Sequence, residues 1–515
     1  MTNKLDGPQR TVISAVGTGH AMGGRRLPCV VCERKPLTKG KPLRFLLLIA
    51  LGALILSACG SRMAAPDLPP ALASAPSPTA TLLPTSMPTA LPTSTPTALP
   101  TSTPTALPTS TPTALPTSTA LPPIETGAVV EGSAAWLESL TVAQVQGVVG
   151  AHMSSHTCPA SLYPVDVYRM QFRTRDREGK EVTVQAEIRF PRVATETAFP
   201  LFVYGSGTTG IANECATLNE YAGKRAWGNY RADLSAYATQ GYITAIANWQ
   251  GFDDPDQTHP YFVSELEGYV MLDLTRAVYD FFADLPSGDI LARPADTVFL
   301  GGYSQGGHGA FAADAMAPRY APELNIVGVV GHAVAPSVDG LMNDSPLYAP
   351  YIVQAYRTYY GKQIINPQDF FQEKWLATFD RDVAKCIDVA LGYYPNTHES
   401  MYTPRFREAL QSDQLATEFP EFKAMLDLNY AGRQVNPSTP AIILHGDADP
   451  IVRLRTIEPF VQRLCSEDKN VTYRTYGGVN HFKIRQSSHV DTLAWMAGIL
   501  AGNSPVSDCG ALGQL

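Results

Sequence analysis

Short apolar runs alternate with amphipathic stretches from about residue 126 to the end of the chain. Runs rich in Val, Ile, Phe and Tyr predict strands at residues 165–173, 182–190, 200–204, 243–247, 297–300, 326–331, 441–444 and 471–476. The turn at residues 177–180 joins the first two into a hairpin. Helical patterns lie near residues 139–150, 229–239, 264–284 and 487–501. Because short apolar strands separated by helices are typical of a sheet covered on both faces, we predict an α/β fold with a mainly parallel sheet.

The alternation breaks between residues 337 and 435, where the chain becomes aromatic. This segment holds sixteen Phe, Trp and Tyr residues in 99 positions, about twice the 9% of the whole chain. Several of them fall at near-helical spacing, namely Tyr356, Tyr359, Tyr360, Phe370, Phe371 and Trp375. Two interpretations fit this pattern: a helical lobe that buries its own aromatic core, or a helical cap that gives a binding site an apolar wall.

The chain begins with a pattern that differs from the rest. Residues 1–44 carry nine Lys and Arg against two acidic residues and precede an apolar run at 45–56, shorter than the roughly 20 residues of a membrane span. This order predicts an export signal over residues 1–59. The run ends in Leu56-Ser57-Ala58-Cys59, which resembles the lipobox of bacterial lipoproteins. We therefore expect lipid on Cys59 to anchor the exported protein to the outer face of a membrane; an uncleaved anchor is the alternative.

Residues 60–125 consist almost entirely of Pro, Thr, Ser, Ala and Leu, and predict a disordered stalk. The octapeptide Ala-Leu-Pro-Thr-Ser-Thr-Pro-Thr recurs through residues 90–118. Proline removes backbone donors and favours an extended polyproline II helix, so the stalk reaches at most about 200 Å at ~3.1 Å per residue. It would hold a globular domain clear of the membrane. That domain divides into core residues 126–336, the aromatic segment 337–435 and core residues 436–515.

The net charge of the chain limits the classes of function that the sequence allows. Without its first 67 residues, the chain holds 29 basic and 44 acidic residues, a net charge near −15. An acidic surface argues against nucleic-acid binding. His152 and His156 lie four apart without a suitable acidic partner, so we expect neither a metal nor another cofactor. We also expect a monomer.

A candidate nucleophile lies in Gly302-Tyr303-Ser304-Gln305-Gly306. A predicted strand precedes this pentapeptide, and residues 305–313 open a predicted helix. This context resembles the nucleophile turn of α/β-hydrolases, in which the two glycines prevent a clash and the serine hydroxyl points into a cleft. The alternative is a structural turn with an idle serine. We predict Ser304 as the nucleophile and the Gln305 N–H as an oxyanion donor.

A serine hydroxyl needs a base, and the base needs a carboxylate that orients it. His481 follows the last predicted strand, whereas His489 lies inside a predicted helix and His308 follows Ser304 too closely. Two carboxylates compete in the loop after the strand at 441–444. Asp449 occupies the position of the acid in a His-Gly-x-x-Asp pattern, and Asp447 is the alternative. The sequence therefore predicts a Ser304–His481–Asp449 triad.

The second oxyanion donor should follow the strand at 200–204. The loop reads Tyr204-Gly205-Ser206-Gly207-Thr208-Thr209-Gly210, and its small residues let backbone N–H groups approach a substrate carbonyl closely. We predict Thr208 as the donor, with Thr209 as the alternative. An ordinary glycine turn has the same composition.

Several motifs together resemble the secretory lipase family of α/β-hydrolases over roughly residues 140–505. They are Gly207-Thr208-Thr209-Gly210, Asn248-Trp249-Gln250-Gly251-Phe252, His259-Pro260-Tyr261, Asp273-Leu274-Thr275-Arg276-Ala277, the Ser304 pentapeptide and His445-Gly446 before Asp449. The resemblance implies hydrolysis of carboxylic esters, often of lipids, by a metal-free triad beneath a cap. It also favours the cap interpretation of residues 337–435. Tyr204-Gly205 stands where relatives often have His-Gly.

Five cysteines follow Cys59, and an exported chain can oxidise them. The resemblance implies a disulfide between Cys215 and Cys386, which ties the oxyanion loop to the cap. It implies another between Cys465 and Cys509, which would pin the last helix. Cys158 is left over.

The sequence thus predicts a stalk-borne serine hydrolase that acts on ester or lipid substrates outside the cell membrane. Two alternatives remain. One is a serine peptidase or aminopeptidase of the same fold, although these enzymes usually carry a large additional domain. The other is a lipid-anchored surface protein that uses the fold for binding alone.

Overall fold

The computed structural model describes residues 125–153, 156, 158–284 and 290–512. The predicted export segment, Cys59 and nearly all of the predicted stalk lie outside these residues. Within the described ranges, no helix is both long enough and apolar enough to cross a membrane.

Nine strands of the described chain form one sheet. They are β1 Ala135–Leu140, β2 Val165–Arg175, β3 Glu181–Pro191, β4 Thr197–Gly205, β5 Ile243–Ala247, β6 Ala292–Tyr303, β7 Ile326–His332, β8 Ala441–Gly446 and β9 Val471–Tyr476. Their spatial order is β1-β2-β3-β5-β4-β6-β7-β8-β9. The first three neighbouring pairs are antiparallel and the remaining five are parallel. The predicted, mainly parallel sheet is confirmed.

Seventeen α-helices surround this sheet in the part of the chain that the structure describes. They are α1 Val142–His152, α2 Tyr230–Ala238, α3 Ser264–Ala283, α4 Gln305–Tyr320, α5 Val338–Asp344, α6 Ala349–Tyr360, α7 Pro367–Phe370, α8 Glu373–Leu376, α9 Phe379–Asp382, α10 Ile387–Tyr393, α11 His398–Met401, α12 Pro404–Gln411, α13 Leu415–Glu418, α14 Pro420–Leu428, α15 Leu454–Ser466, α16 Ile484–Leu500 and α17 Cys509–Leu512. Three-residue 3₁₀ turns lie at Asn213–Cys215, Thr217–Asn219 and Pro346–Tyr348.

Successive side chains of the central strands enter two different cores. In β4, Leu201 and Val203 pack in the core that includes residues of α3 and α4, whereas Phe202 and Tyr204 pack with residues of α2 and α16. Residues 243–247 and 441–446, which form β5 and β8, are buried at every position. Helices therefore cover both faces, which explains why these strands have continuous apolar sequences.

The first strand differs from the prediction. The sequence predicted a helix from about residue 139, but β1 occupies 135–140 and α1 begins afterwards. Trp136 is 58% exposed, so β1 lacks the alternating burial by which a strand is recognised. Thr141 sets the start of α1 because its hydroxyl accepts from Gln144 N while the Gln144 side chain accepts from Thr141 N.

Helices α5–α14 lie between β7 and β8, within the aromatic segment at residues 337–435. Their rings bury one another: the Phe370 ring centroid lies 4.9 Å from that of Phe406 and 4.7 Å from that of Phe422. These rings belong to the same continuous core as α3 and α4. Residues 337–435 thus form mostly helices, and their aromatic side chains belong to a core that is continuous with the rest of the domain.

Two disulfides connect distant parts of the chain. Cys215 and Cys386 have sulfurs 2.06 Å apart, and Cys465 and Cys509 have sulfurs 2.04 Å apart. The second bond joins α15 to α17, so it does not pin the long helix α16 as the sequence interpretation had it. Cys158 is a free thiol and is partly buried.

Candidate active site

Ser304 lies at the turn between β6 and α4. Its backbone has φ 55° and ψ −112°, a conformation that a non-glycine residue keeps only when the surrounding structure imposes it. Its N–H donates to His332 O at 2.9 Å, which ties the turn to β7. A Cβ on Gly302 would lie 2.0 Å from Gly306 O, and a Cβ on Gly306 would lie 1.9 Å from Gly205 O. Only glycine fits at these positions, so β4 and the start of α4 approach each other closely.

His481 and Asp449 come from the loops that follow β9 and β8. His481 Nδ1 lies 2.6 Å from Asp449 Oδ2, and both side chains are buried. Asp449 Oδ1 accepts from Ile451 N at 2.8 Å and from Val452 N at 2.9 Å. The His481 ring centroid lies 5.0 Å from that of Tyr303, the residue before Ser304. The structure thus brings an oriented imidazole beside the strained serine turn.

The charge on Asp449 is stabilised by its surroundings. Burial raises the pKa of this carboxyl, but attraction to His481 and their hydrogen bond outweigh burial and leave the pKa below its ordinary value. His445 Nε2 lies 3.7 Å from Asp449 Oδ2 and 2.9 Å from Val452 O. Asp447, the alternative acid, is exposed and accepts from Gly478 N at 2.7 Å. Asp449 is therefore the carboxylate that contacts the histidine.

Hydrogen bonds around the predicted oxyanion loop, residues 204–210, occupy some of its backbone N–H groups and leave others unoccupied. Gly207 N donates to Tyr230 Oη at 2.6 Å, so this group is already occupied. The Thr208 hydroxyl lies 2.6 Å from Tyr261 Oη. Among the hydrogen bonds of the described residues, none uses the N–H of Thr208, Thr209 or Gln305 as a donor. The two predicted donors have unoccupied N–H groups, and Thr209 stays open as the alternative.

Buried side chains hold the side-chain amide of Gln305 in place. Gln305 Nε2 donates to Glu267 Oε1 at 2.9 Å and lies 2.8 Å from His259 Nε2. His259 Nδ1 faces Gln250 O at 3.0 Å, and burial lowers the pKa of His259 to about 3, so the neutral ring donates from Nδ1 and accepts at Nε2. Glu267 Oε2 also lies 2.5 Å from His308 Nδ1. Helices α3 and α4 therefore fix the residue that follows Ser304.

The aromatic segment contacts the oxyanion loop directly. The Cys215–Cys386 disulfide lies beside Gly210, where a Cβ would be 2.7 Å from Cys215 Sγ. Ile387 N donates to Thr209 O at 2.9 Å. Movement of the N-terminus of α10 would therefore displace the loop that carries the proposed oxyanion donors.

The described part of the chain contains no group of three or more His, Cys, Asp or Glu residues that could hold a metal ion.

Comparison with known proteins places the chain in a family. Residues 232–508, more than half of the chain, match the model of the secretory lipase family. The chain belongs to this family. The resemblance seen in the sequence motifs is thereby confirmed.

Two curated relatives have lipase names. A secreted triacylglycerol lipase of Malassezia globosa is 26% identical over 274 residues, which cover 49% of this chain and 44% of the relative. Lipase A of Arthroderma benhamiae is 25% identical over 289 residues, which cover 54% of this chain and 56% of the relative. The chain thus spans about half the length of these relatives.

Solved structures share the fold. The rice cell wall degrading esterase of Xanthomonas oryzae superposes with a TM-score of 0.58 and 20% identity, over 73% of this chain and 97% of that chain. Candida antarctica lipase A superposes with a TM-score of 0.55 and 20% identity, over 75% and 85% of the two chains. The α/β-hydrolase fold predicted from the sequence is confirmed.

In this secretory lipase family member, a buried cation that the sequence did not reveal lies behind the site. Arg485 Nη1 lies 3.0 Å from Asp233 Oδ2, and both residues are at most 3% exposed. The guanidinium lies 4.6 Å from the Tyr303 ring centroid and 5.1 Å from that of Tyr230. Tyr303 contacts His481, and Tyr230 accepts from the oxyanion loop. Arg485 thus lies behind both His481 and the loop, in contact with the tyrosine ring next to each.

Asp233 is ionised in this pair. Burial raises the pKa of its carboxyl, but attraction to Arg485 and His152 outweighs burial and brings the pKa far below its ordinary value. Asp233 and Arg485 are 252 positions apart, so no local spacing in the sequence connects them. Both helices carry charged residues of either sign, so the sequence alone does not identify which two form the pair.

Replacing Arg485 with Met is expected to leave the buried Asp233 carboxylate without its guanidinium partner. The free energy of unfolding should fall by about 3–5 kcal/mol, measured by urea denaturation. The additional change Asp233→Asn should restore part of this loss, because it removes the uncompensated charge. Arg474→Met is a matched control, since its pair with Asp508 is partly exposed and should contribute less than about 1 kcal/mol. Equal losses for the two arginine variants would contradict this account.

Proposed function

We propose that the protein is a serine hydrolase that cleaves carboxylic esters. The observation that carries the proposal is the hydrogen bond between His481 and Asp449 beside the strained turn of Ser304. An imidazole whose Nδ1–H is held by a buried carboxylate has Nε2 free to accept a proton. Membership of the secretory lipase family supports an ester as the substrate.

The proposed reaction proceeds by two acyl transfers. His481 Nε2 takes the proton of the Ser304 hydroxyl while the oxygen attacks the ester carbonyl. The N–H groups of Gln305 and Thr208 stabilise the oxyanion of the tetrahedral intermediate. His481 then donates its proton to the leaving alcohol, and a water molecule hydrolyses the acyl-enzyme in the same way. Asp449 stays ionised throughout and stabilises the imidazolium.

We further propose that residues 337–435 form a cap that gives an acyl chain an apolar wall. The contacts that support this role lie around Tyr261, whose hydroxyl holds Thr208. The Tyr351 ring of α6 contacts the Tyr261 ring with centroids 6.2 Å apart, and both rings are fully buried. A lipid or another ester with an apolar acyl chain is therefore the proposed substrate class.

Replacing Ser304 with Ala is expected to abolish hydrolysis of p-nitrophenyl esters, because no other group supplies the attacking oxygen in the proposed reaction. Initial rates measured by release of p-nitrophenol should fall by at least about 10⁴-fold. Ser235→Ala is the matched control, since this buried serine of α2 donates only to Arg231 O and the change should leave the rate nearly unaltered.

Retained turnover in the Ser304 variant would refute the proposal. Parallel assays with p-nitroanilide substrates distinguish the peptidase alternative, which requires amides to be cleaved faster than matched esters. Absence of turnover on both substrates, together with no labelling of Ser304 by a fluorophosphonate, would favour a binding protein.

We also propose that the protein is exported and anchored by lipid on Cys59. The order of basic, apolar and small residues before Leu56-Ser57-Ala58-Cys59 supports this proposal. The secretory lipase family and the secreted relative of Malassezia globosa support export.

The full chain, expressed in a bacterium that processes lipoproteins, should enter the detergent phase on Triton X-114 partitioning. Cys59→Ser should shift it to the aqueous phase or leave it unprocessed, because acylation needs the thiol. Cys158→Ser should partition like the unchanged protein. Detergent-phase partitioning of the Cys59 variant at its normal processed size would contradict the anchor.

A further inference from the structure

A cavity apart from the proposed catalytic site lies along α3 and α4. Its volume is about 520 Å³, within the range of roughly 300–1,000 Å³ that is usual for small-molecule sites. Its lining includes five tyrosines, namely Tyr269, Tyr320, Tyr359, Tyr360 and Tyr430. None of the residues that line it belongs to the proposed triad or to the oxyanion loop. The lining residues of α4 run from Ala312 to Tyr320, which places them about 10 to 22 Å along the helix from Gln305 at ~1.5 Å per residue.

The tyrosine walls are preformed. Tyr320 Oη donates to Asp273 at 2.8 Å, Tyr269 Oη donates to Glu265 at 2.7 Å, and Tyr360 Oη accepts from Asn429 at 2.6 Å. Neighbouring rings also pack edge to face or tilted, with centroids 4.7 Å apart for Tyr269 and Tyr320. A ligand would therefore meet fixed aromatic surfaces and would not have to order them.

Arginines without carboxylate partners in the described part of the chain line this cavity and lie behind one of its walls. Arg319 and Arg433 line it and are exposed, and neither has a carboxylate partner among the residues that the structure describes. A third arginine, Arg175, lies behind the wall at 5.2 Å from the Tyr320 ring centroid and also has no carboxylate partner there. Among the lining residues, Glu265 is the one with a carboxylate, and it accepts a hydrogen bond from Tyr269 Oη. In a chain with a net charge of −8, this excess of cations is a local feature.

The aromatic walls and the arginines determine which class of ligand fits this cavity. Aromatic walls favour an apolar body, and arginines at the opening favour a carboxylate, which a guanidinium can bind through two N–H groups. Cations on both sides of the tyrosine wall oppose a cationic ligand. We propose that this cavity binds an amphipathic carboxylate of the fatty-acid class, at a site separate from the proposed catalytic centre.

Hydrogen bonds connect the cavity to the nucleophile turn. Ser264 and Asn429 line the cavity, and His308 Nε2 lies 3.2 Å from Ser264 Oγ and 2.7 Å from Asn429 O. From His308 the path continues through Glu267 to Gln305, which carries a proposed oxyanion donor. A carboxylate bound in the cavity therefore alters turnover through this path. Binding is independent of the proposed function, whereas the effect on turnover rests on it.

Isothermal titration of the full chain with decanoate tests binding directly, with decanol and decyltrimethylammonium as neutral and cationic probes below their aggregation concentrations. Decanoate should bind at least about tenfold more tightly than either probe. The double change Arg319→Ala and Arg433→Ala should weaken decanoate binding about tenfold, because it removes both unpaired cations at the opening. Ala315→Trp should abolish binding by filling the cavity. Lys374→Ala, which removes an exposed cation on α8, is the control and should leave the affinity unchanged.

Unchanged decanoate affinity in the double arginine variant would overturn the site, and would assign any binding to the catalytic cleft. Both arginines are exposed, so this variant remains informative even where Ala315→Trp fails to fold. Turnover of p-nitrophenyl acetate provides the second measurement: decanoate should change the rate in the unchanged chain but not in the arginine variant. If decanoate binds to an active enzyme without changing its rate, the proposed effect of the cavity on turnover is wrong. If the enzyme is inactive but still binds decanoate, the binding site is supported and only the proposed function is contradicted.

Discussion

The hydrogen bond between His481 and Asp449 is the interaction on which the proposed site depends. It joins the loops after β8 and β9, two parallel neighbours whose carboxyl ends lie at one edge of the sheet. Two backbone N–H groups hold the other oxygen of Asp449, so the carboxylate has a fixed direction before it meets the imidazole. This direction selects the ring tautomer that leaves Nε2 available beside the Ser304 turn. Without it, the base of the proposed reaction would have no fixed orientation.

A second constraint is the close approach of β4 to the turn after β6. Gly205 and Gly302 are paired in the parallel register, and a Cβ on Gly306 would overlap Gly205 O. This contact brings the oxyanion loop against the N-terminus of α4, where backbone N–H groups lack helical acceptors. Arg485 and Glu267 then support the two sides of the site, one through Tyr303 and the other through Gln305. The geometry thus rests on buried polar contacts as well as on glycine.

Local patterns in the sequence were sufficient for the central strands and for the turn at Ser304, because burial on both faces produces continuous apolar runs. They did not predict features that depend on residues distant in the sequence, or elements whose own residues oppose the structure that they form. Helix α15 was not predicted, and Pro459 inside it opposes a helical interpretation until tertiary packing is considered. Strand β1 is largely exposed and carries no alternating signal. The Arg485–Asp233 pair joins α16 to α2, and only the fold brings these two charges together.

The central claim is that Asp449, and not its neighbour Asp447, orients the base. The most direct test compares kcat for ester hydrolysis in Asp449→Asn and Asp447→Asn. Asparagine at 449 keeps the shape but favours the wrong imidazole tautomer, so kcat should fall by about 10⁴-fold. Asp447 is exposed and contacts Gly478 N, so its variant should stay within about tenfold of the unchanged enzyme. A larger loss in the Asp447 variant, or a near-normal rate in the Asp449 variant, would contradict the account.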